Sequence, residues 1–195
     1  MIRRSILLPG LSLALALCVA IVLWRLAPGF GAAGPERAEV GGPFLLTDQN
    51  GHARSDRDFR GRWMLVYFGY TYCPDVCPAT LEEIADALRR LGTKSRRVVP
   101  VFITLDPDRD HAATLRKYLS AFGPEFVGLT GTNAQIASVA QAYRVYFAKR
   151  VLPSGTYSVD HASTIYLMTP AGTFASTLDD QEGAVQLEKD LGSRL

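Results

Sequence analysis

The sequence has little net charge, few cysteines, few histidines and no internal repeat. Its 195 residues carry 21 Lys and Arg against 19 Asp and Glu. Arg3, Arg4 and Arg25 precede Pro28, so the remainder holds 18 basic and 19 acidic residues. No basic excess is left there to recognise nucleic acid. Low-complexity stretches are few and 48% of the residues are hydrophobic, which suits one folded domain with an appendage. A long Arg- and Ser-rich leader is also missing, which argues against a mitochondrial address.

The appendage lies at the front. Ser5 to Trp24 is an uncharged apolar run of 20 residues, flanked by Arg3, Arg4 and Arg25, and it is long enough to cross a bilayer as a helix. A cleaved signal peptide is the rival reading. The run exceeds the usual apolar region of a signal, however, and no small-x-small cleavage site follows closely. Two arginines before the span against one after it predict a cytoplasmic N-terminus and a domain outside the cytoplasm. Residues 1–27 thus read as an anchor, 28–43 as a Pro-, Gly-, Ala- and Glu-containing linker, and 44–195 as the domain. Cys18 falls inside the span, where it reads as an apolar filler.

The two remaining cysteines stand together in Gly69-Tyr70-Thr71-Tyr72-Cys73-Pro74-Asp75-Val76-Cys77-Pro78. Trp63 to Phe68 before this stretch is a short β-rich run. After it, Leu81, Ile84, Ala85, Leu88 and Leu91 recur at helical spacing. The thiols therefore sit where a strand hands over to a helix, whose positive end favours the thiolate. One helical turn separates their Cα atoms by roughly 6 Å, which suits either a disulfide or two thiolates on one soft metal ion. Pro74 and Pro78 argue against ordinary helix-interior residues.

Elsewhere the pattern predicts a strand at Phe44–Thr47 closed by an Asn-Gly turn and an exposed charged segment at 54–62. It predicts a helix ended by Gly92, a central strand at Val98–Leu105, and a helix opened by Asp106 to Asp110 that buries Leu115, Tyr118, Leu119 and Phe122. A short strand at Phe126–Leu129 comes next. Thr132 and Gln135 have capping-box spacing before another helix. Residues 148–159 read as a loop. A hairpin around Pro170-Ala171-Gly172 and a last helix through Ala184, Leu187 and Leu191 complete a layered α/β domain.

The cysteine stretch, the Asp106-Pro107-Asp108-Arg109-Asp110 run and Val159-Asp160-His161 together resemble the Sco/SenC family, across roughly residues 38–192. Members of that family are membrane-anchored copper proteins of cytochrome c oxidase assembly. The resemblance implies a thioredoxin-like fold and one copper per chain, Cu(I) or Cu(II), held by Cys73, Cys77 and His161. It implies delivery of that copper to the dinuclear CuA site of an oxidase subunit, with another copper chaperone as a candidate donor. For a bacterial source it implies a single-pass protein of the inner membrane with its domain in the periplasm.

The residue chemistry agrees: thiolates favour Cu(I), and imidazole is a good ligand for either copper state. Such transfer needs no turnover chemistry. The rival is a thiol-disulfide oxidoreductase in which Cys73 and Cys77 reduce the recipient's CuA-site cysteines. A peroxide-reducing thiol protein is a third reading. Taken alone, His161 just before a strand is more often structural. Asp160 could orient its imidazole, although neighbours along a strand point to opposite faces. Asp75 has three readings: tuning the thiols, making a partner contact, or sitting as a plain helix-start carboxylate. Asp106, Asp108 and Asp110 lack the glycine and glutamate of a calcium loop and read as turn and cap formers, with Arg109 a partner for one of them. His52 and His111 read as exposed. Tyr67, Phe68, Tyr70 and Tyr72 read as core or cleft lining.

Overall fold

The computed structural model describes residues 40–179 and 183–195. Among these residues no helix is long and apolar enough to cross a membrane. The expected span at 5–24, and Cys18 within it, lie outside the described residues.

The strands are β1 (Leu45–Asp48), β2 (Ala53–Ser55), β3 (Trp63–Gly69), β4 (Val98–Thr104), β5 (Val127–Thr130), β6 (Phe147–Val151), β7 (Tyr157–His161), β8 (Thr164–Met168) and β9 (Phe174–Asp179). The helices are α1 (Val76–Leu91), α2 (Ala112–Leu119), α3 (Asn133–Ala142) and α4 (Gly183–Gly192). Seven strands form one mixed sheet in the order β2-β1-β5-β4-β3-β8-β9. β3 pairs in parallel with β4, and β4 with β5, while β8 runs antiparallel to β3. β4 lies in the middle, and all seven of its residues are buried. This explains why it reads as continuously apolar, with no alternation.

The crossover from β3 to β4 is α1. It buries Leu81, Ile84, Ala85, Leu88 and Leu91 and packs on α4 through Leu187 and Leu191. Burying one such leucine contributes about 1.5–3 kcal/mol. Gly92 ends α1 with φ +57°, a left-handed conformation that side-chain-bearing residues avoid. The capping box at α3 forms as its spacing predicts: the Thr132 hydroxyl accepts from the Gln135 N–H, and the Gln135 side chain accepts from the Thr132 N–H.

Three expectations are corrected. Residues 148–159 are not a loop but most of a hairpin, β6 and β7, which forms its own two-stranded sheet. Its outward residues Lys149, Arg150 and Val151 are partly or fully exposed, so little apolar alternation marks it in the sequence. The 54–62 segment holds most of β2 and a 3-10 turn, Asp56–Phe59, that buries Phe59. The helix after Asp106 begins only at Ala112 and ends at Leu119, so Phe122 packs on the core from beyond it.

The chain enters the domain away from the cysteine corner. The Gly41 N–H donates to the Ala142 carbonyl at the end of α3. Gly41 also lies against Met168, which pairs with Met64 near the start of β3.

Candidate metal centre

At the end of β3 the chain turns through Tyr70 and Thr71, and the Cys73 N–H donates to the Tyr70 carbonyl at 3.2 Å. Asp75 caps α1 in position only. It is exposed and makes no side-chain cap bond, so helix capping is not its role. Cys77 is the second residue of the helix and Pro78 the third, where a missing N–H costs no helical hydrogen bond. Cys77 is fully buried, Cys73 half-buried, and both are free thiols.

The turn is anchored from β4. Asp110, wholly buried, accepts from the Thr71 N–H at 2.9 Å, the Thr71 hydroxyl and the Thr104 hydroxyl. Burial pushes its carboxyl above the ordinary aspartate value, against the lowering effect of the Thr104 and Thr71 hydrogen bonds. Asp106 is equally buried and pairs with Arg109. Asp108 is exposed and pairs with Lys149 at 2.5 Å. Lys149 also reaches Asp106, at 3.7 Å, so the run is spent on Arg109, Lys149 and the Thr71 turn, and it forms no metal-binding group among the described residues.

His161 reaches the cysteines as the last residue of β7 and stands just ahead of β8, as its sequence context suggests. Its Nε2 stands 3.5 Å from the Cys77 Sγ. Its Nδ1 lies 2.9 Å from the Ala162 carbonyl. A carbonyl only accepts, so Nδ1 carries the proton and the Nε2 lone pair faces the sulfur. The Cys77 N–H points to the Cys73 Sγ at 3.4 Å. One donor atom from each of Cys73, Cys77 and His161 lies within 4.8 Å of the other two, and no other such trio occurs among the described residues. Donors about 2.0–2.3 Å from a common ion stand at most about 4.6 Å apart, so small adjustments close the three around a metal.

Asp160 does not orient the imidazole; it pairs with Arg150 at 2.6 Å. Tyr67 and Tyr70 meet the His161 ring edge-on, at centroid distances of 6.4 and 6.0 Å, and both are buried. Tyr72 is exposed, so it lines no core. His52 and His111 are exposed and lie outside the cluster.

The expectation that the helix end makes these thiols more acidic fails for Cys77. Burial pushes its thiol up to about 12, outweighing hydrogen bonds from the Tyr70 backbone and the Tyr67 side chain. In a dry pocket the desolvation of a thiolate exceeds what one helix terminus returns, and a bound cation is what would ionise this sulfur.

The fold and the corner together define a class: a thioredoxin-like α/β domain presenting two thiols from a strand–helix turn and an imidazole from a separate hairpin. Comparison with known families narrows it. The SCO1/SenC profile matches residues 32–195, and the chain belongs to that family. Protein SCO2 homolog, mitochondrial, of Bos taurus is 42% identical over 155 residues, covering 77% of this chain and 58% of its own length. Protein SCO1 homolog, mitochondrial, of Homo sapiens is 41% identical over 138 residues, covering 69% of this chain and 46% of its own. The chain thus spans about half the length of these relatives. Among solved structures, Bradyrhizobium japonicum ScoI with copper bound matches with TM-score 0.75 and 45% identity, over 80% of this chain and 99% of that one. Yeast Sco1 with copper bound gives 0.70 and 37%, over 80% and 90%.

Tyr157 and its contact with Arg109 have no counterpart in the sequence reading. The alternation Tyr157-Ser158-Val159, with only Val159 well buried, is the signal that could have revealed the strand.

Proposed function

We propose that this protein binds one copper ion through Cys73, Cys77 and His161 and delivers it to the CuA site of a cytochrome c oxidase subunit. The carrying observation is the convergence of two sulfurs and one imidazole nitrogen within 4.8 Å. Two thiolates suit Cu(I), and the nitrogen lets the site hold Cu(II) as well. Copper in the related ScoI and Sco1 structures supports the same cargo here. Thiol-disulfide exchange is the weaker reading, because it needs only the two thiols and gives no task to the His161 imidazole that converges on them.

In this reading residues 1–27 anchor the chain, 28–43 are the linker and 44–195 the copper domain. A bacterial inner membrane with the domain in the periplasm fits the charge flanks of the span, and the likeness to a Bradyrhizobium protein supports it. The mitochondrial relatives keep the corresponding mitochondrial placement open.

The test is a Cu(II) titration of the reduced chain, read by sulfur-to-copper charge-transfer absorption. One copper per chain is expected, with bands lost in Cys73→Ala and Cys77→Ala. In His161→Ala the Cu(II) bands should vanish while the thiols stay reactive. Bands indifferent to His161 would remove it from the ligand set.

A further inference from the structure

The hairpin that carries His161 shares no ladder hydrogen bonds with the seven-stranded sheet that carries the cysteines. Beyond the two-residue link from His161 to β8, side chains hold the imidazole in register with the sulfurs. Arg109 is at the centre of those contacts. Its guanidinium carbon lies 3.8 Å from the ring centroid of Tyr157, on β7, and 4.7 and 5.8 Å from those of Tyr72 and Tyr70, beside Cys73. Nη1 donates to the Tyr157 carbonyl at 3.0 Å, and Nε donates to the Asp106 carboxylate. The Tyr157 hydroxyl donates to that same carboxylate at 2.8 Å. One planar cation thus touches the cysteine turn, the acid after β4 and the first residue of the histidine strand.

The arrangement favours position over pairing. Nη2 of Arg109 is buried without a hydrogen-bond partner, an unfavourable feature that a simple ion pair would avoid by turning the guanidinium. The stacked geometry holds it there, and only a flat, forked cation can stack and donate on two edges together. Lys149 reinforces the hairpin from β6 through Asp108, and Tyr70 through a hydrogen bond to the Val159 backbone.

We infer that Arg109 is a positioning residue: lying over the rings of both Tyr157 and Tyr72, it holds the β6–β7 hairpin closed so that His161 faces Cys73 and Cys77. The inference rests on the ligand assignment proposed above and adds how the nitrogen is kept in range. If opening leaves a fraction f of molecules with His161 in place, apparent Cu(II) affinity falls by that fraction.

The test uses the full-length reduced chain and reads copper-free amide hydrogen exchange alongside Cu(II) affinity. In Arg109→Ala the β7 amides should exchange about tenfold faster, with β3 and β4 amides unchanged, and Cu(II) affinity should fall about tenfold. Arg109→Lys keeps the charge without the fork and should resemble the alanine variant; wild-type behaviour would overturn the bridging role. Should Arg109→Ala not fold, Tyr157→Leu removes the ring from the other side, with the same expected shifts. Unchanged β7 exchange, or faster exchange with unchanged Cu(II) affinity, refutes the inference. The exchange arm contains no copper, so it stands or falls separately from the His161→Ala result that judges the ligand assignment.

Discussion

Replacing Gly69 by alanine tests how tightly the thiol corner is built. Gly69 ends β3 with an ordinary negative φ, so its backbone would accept a side chain; the space would not. A Cβ there would lie 2.9 Å from the Cys77 Sγ, 2.9 Å from Phe102 Cε2 and 3.3 Å from Tyr67 Cε1. Non-bonded carbon contacts prefer about 3.5–4.0 Å, so the sulfur and the Phe102 ring must each retreat by roughly 0.6–1 Å. Both side chains are fully buried, in an interior that packs as densely as protein cores generally do. Overpacking of this kind costs about 1–3 kcal/mol, and two immobile neighbours place Gly69→Ala in the upper half, near 2–3 kcal/mol. For a chain of this size that corresponds to a fall in Tm of about 4–12 °C. Urea unfolding of the copper-free protein measures it directly, as a lower midpoint at unchanged slope. The displaced sulfur should also weaken the Cu(II) charge-transfer band. A loss below about 0.5 kcal/mol would show that the corner relaxes freely and would refute the steric reasoning.

Two further outcomes follow from burial. Iodoacetamide at about pH 8 should label the half-buried Cys73 and spare Cys77, whose thiol is pushed up to about 12 and has no solvent access; equal labelling in a peptide map would contradict this. Asp110 is raised in the folded state, so its stabilising contribution is complete below the ordinary aspartate value and is lost as pH climbs through the raised one. Asp110→Asn has no such proton, so its stability relative to wild type should improve as pH rises from about the ordinary aspartate value of 3.9 in urea unfolding series. Parallel curves would assign the burial penalty elsewhere.

What the sequence makes legible is local. The strand–turn–helix around Cys73 and Cys77 is written in contiguous apolar spacing, Gly92 is where a helix end needs it, and Thr132 with Gln135 spells its own cap. The ligand trio is harder, because Cys77 and His161 stand 84 residues apart and nothing in either neighbourhood names the other. It emerges only when three motifs are weighed together. The β6–β7 hairpin is hard to read because a two-stranded flap with a solvated face shows only the brief alternation Tyr157-Ser158-Val159. Arg109 reads as a partner for a nearby acid, which it is. Its contact with Tyr157, 48 residues on, depends on how the hairpin folds back. The thiol acidity was misjudged because a helix end can be seen in sequence and the depth of burial cannot.

The point of entry of the chain gives the domain a direction. Gly41 docks against Met168 near the start of β3, whereas the sulfurs and the imidazole gather at its far end, beyond Gly69. Seven strand residues put roughly 20 Å between the two. The donor atoms therefore stand at the opposite end of β3 from residue 41, so a contact made at one of these ends leaves the other uncovered.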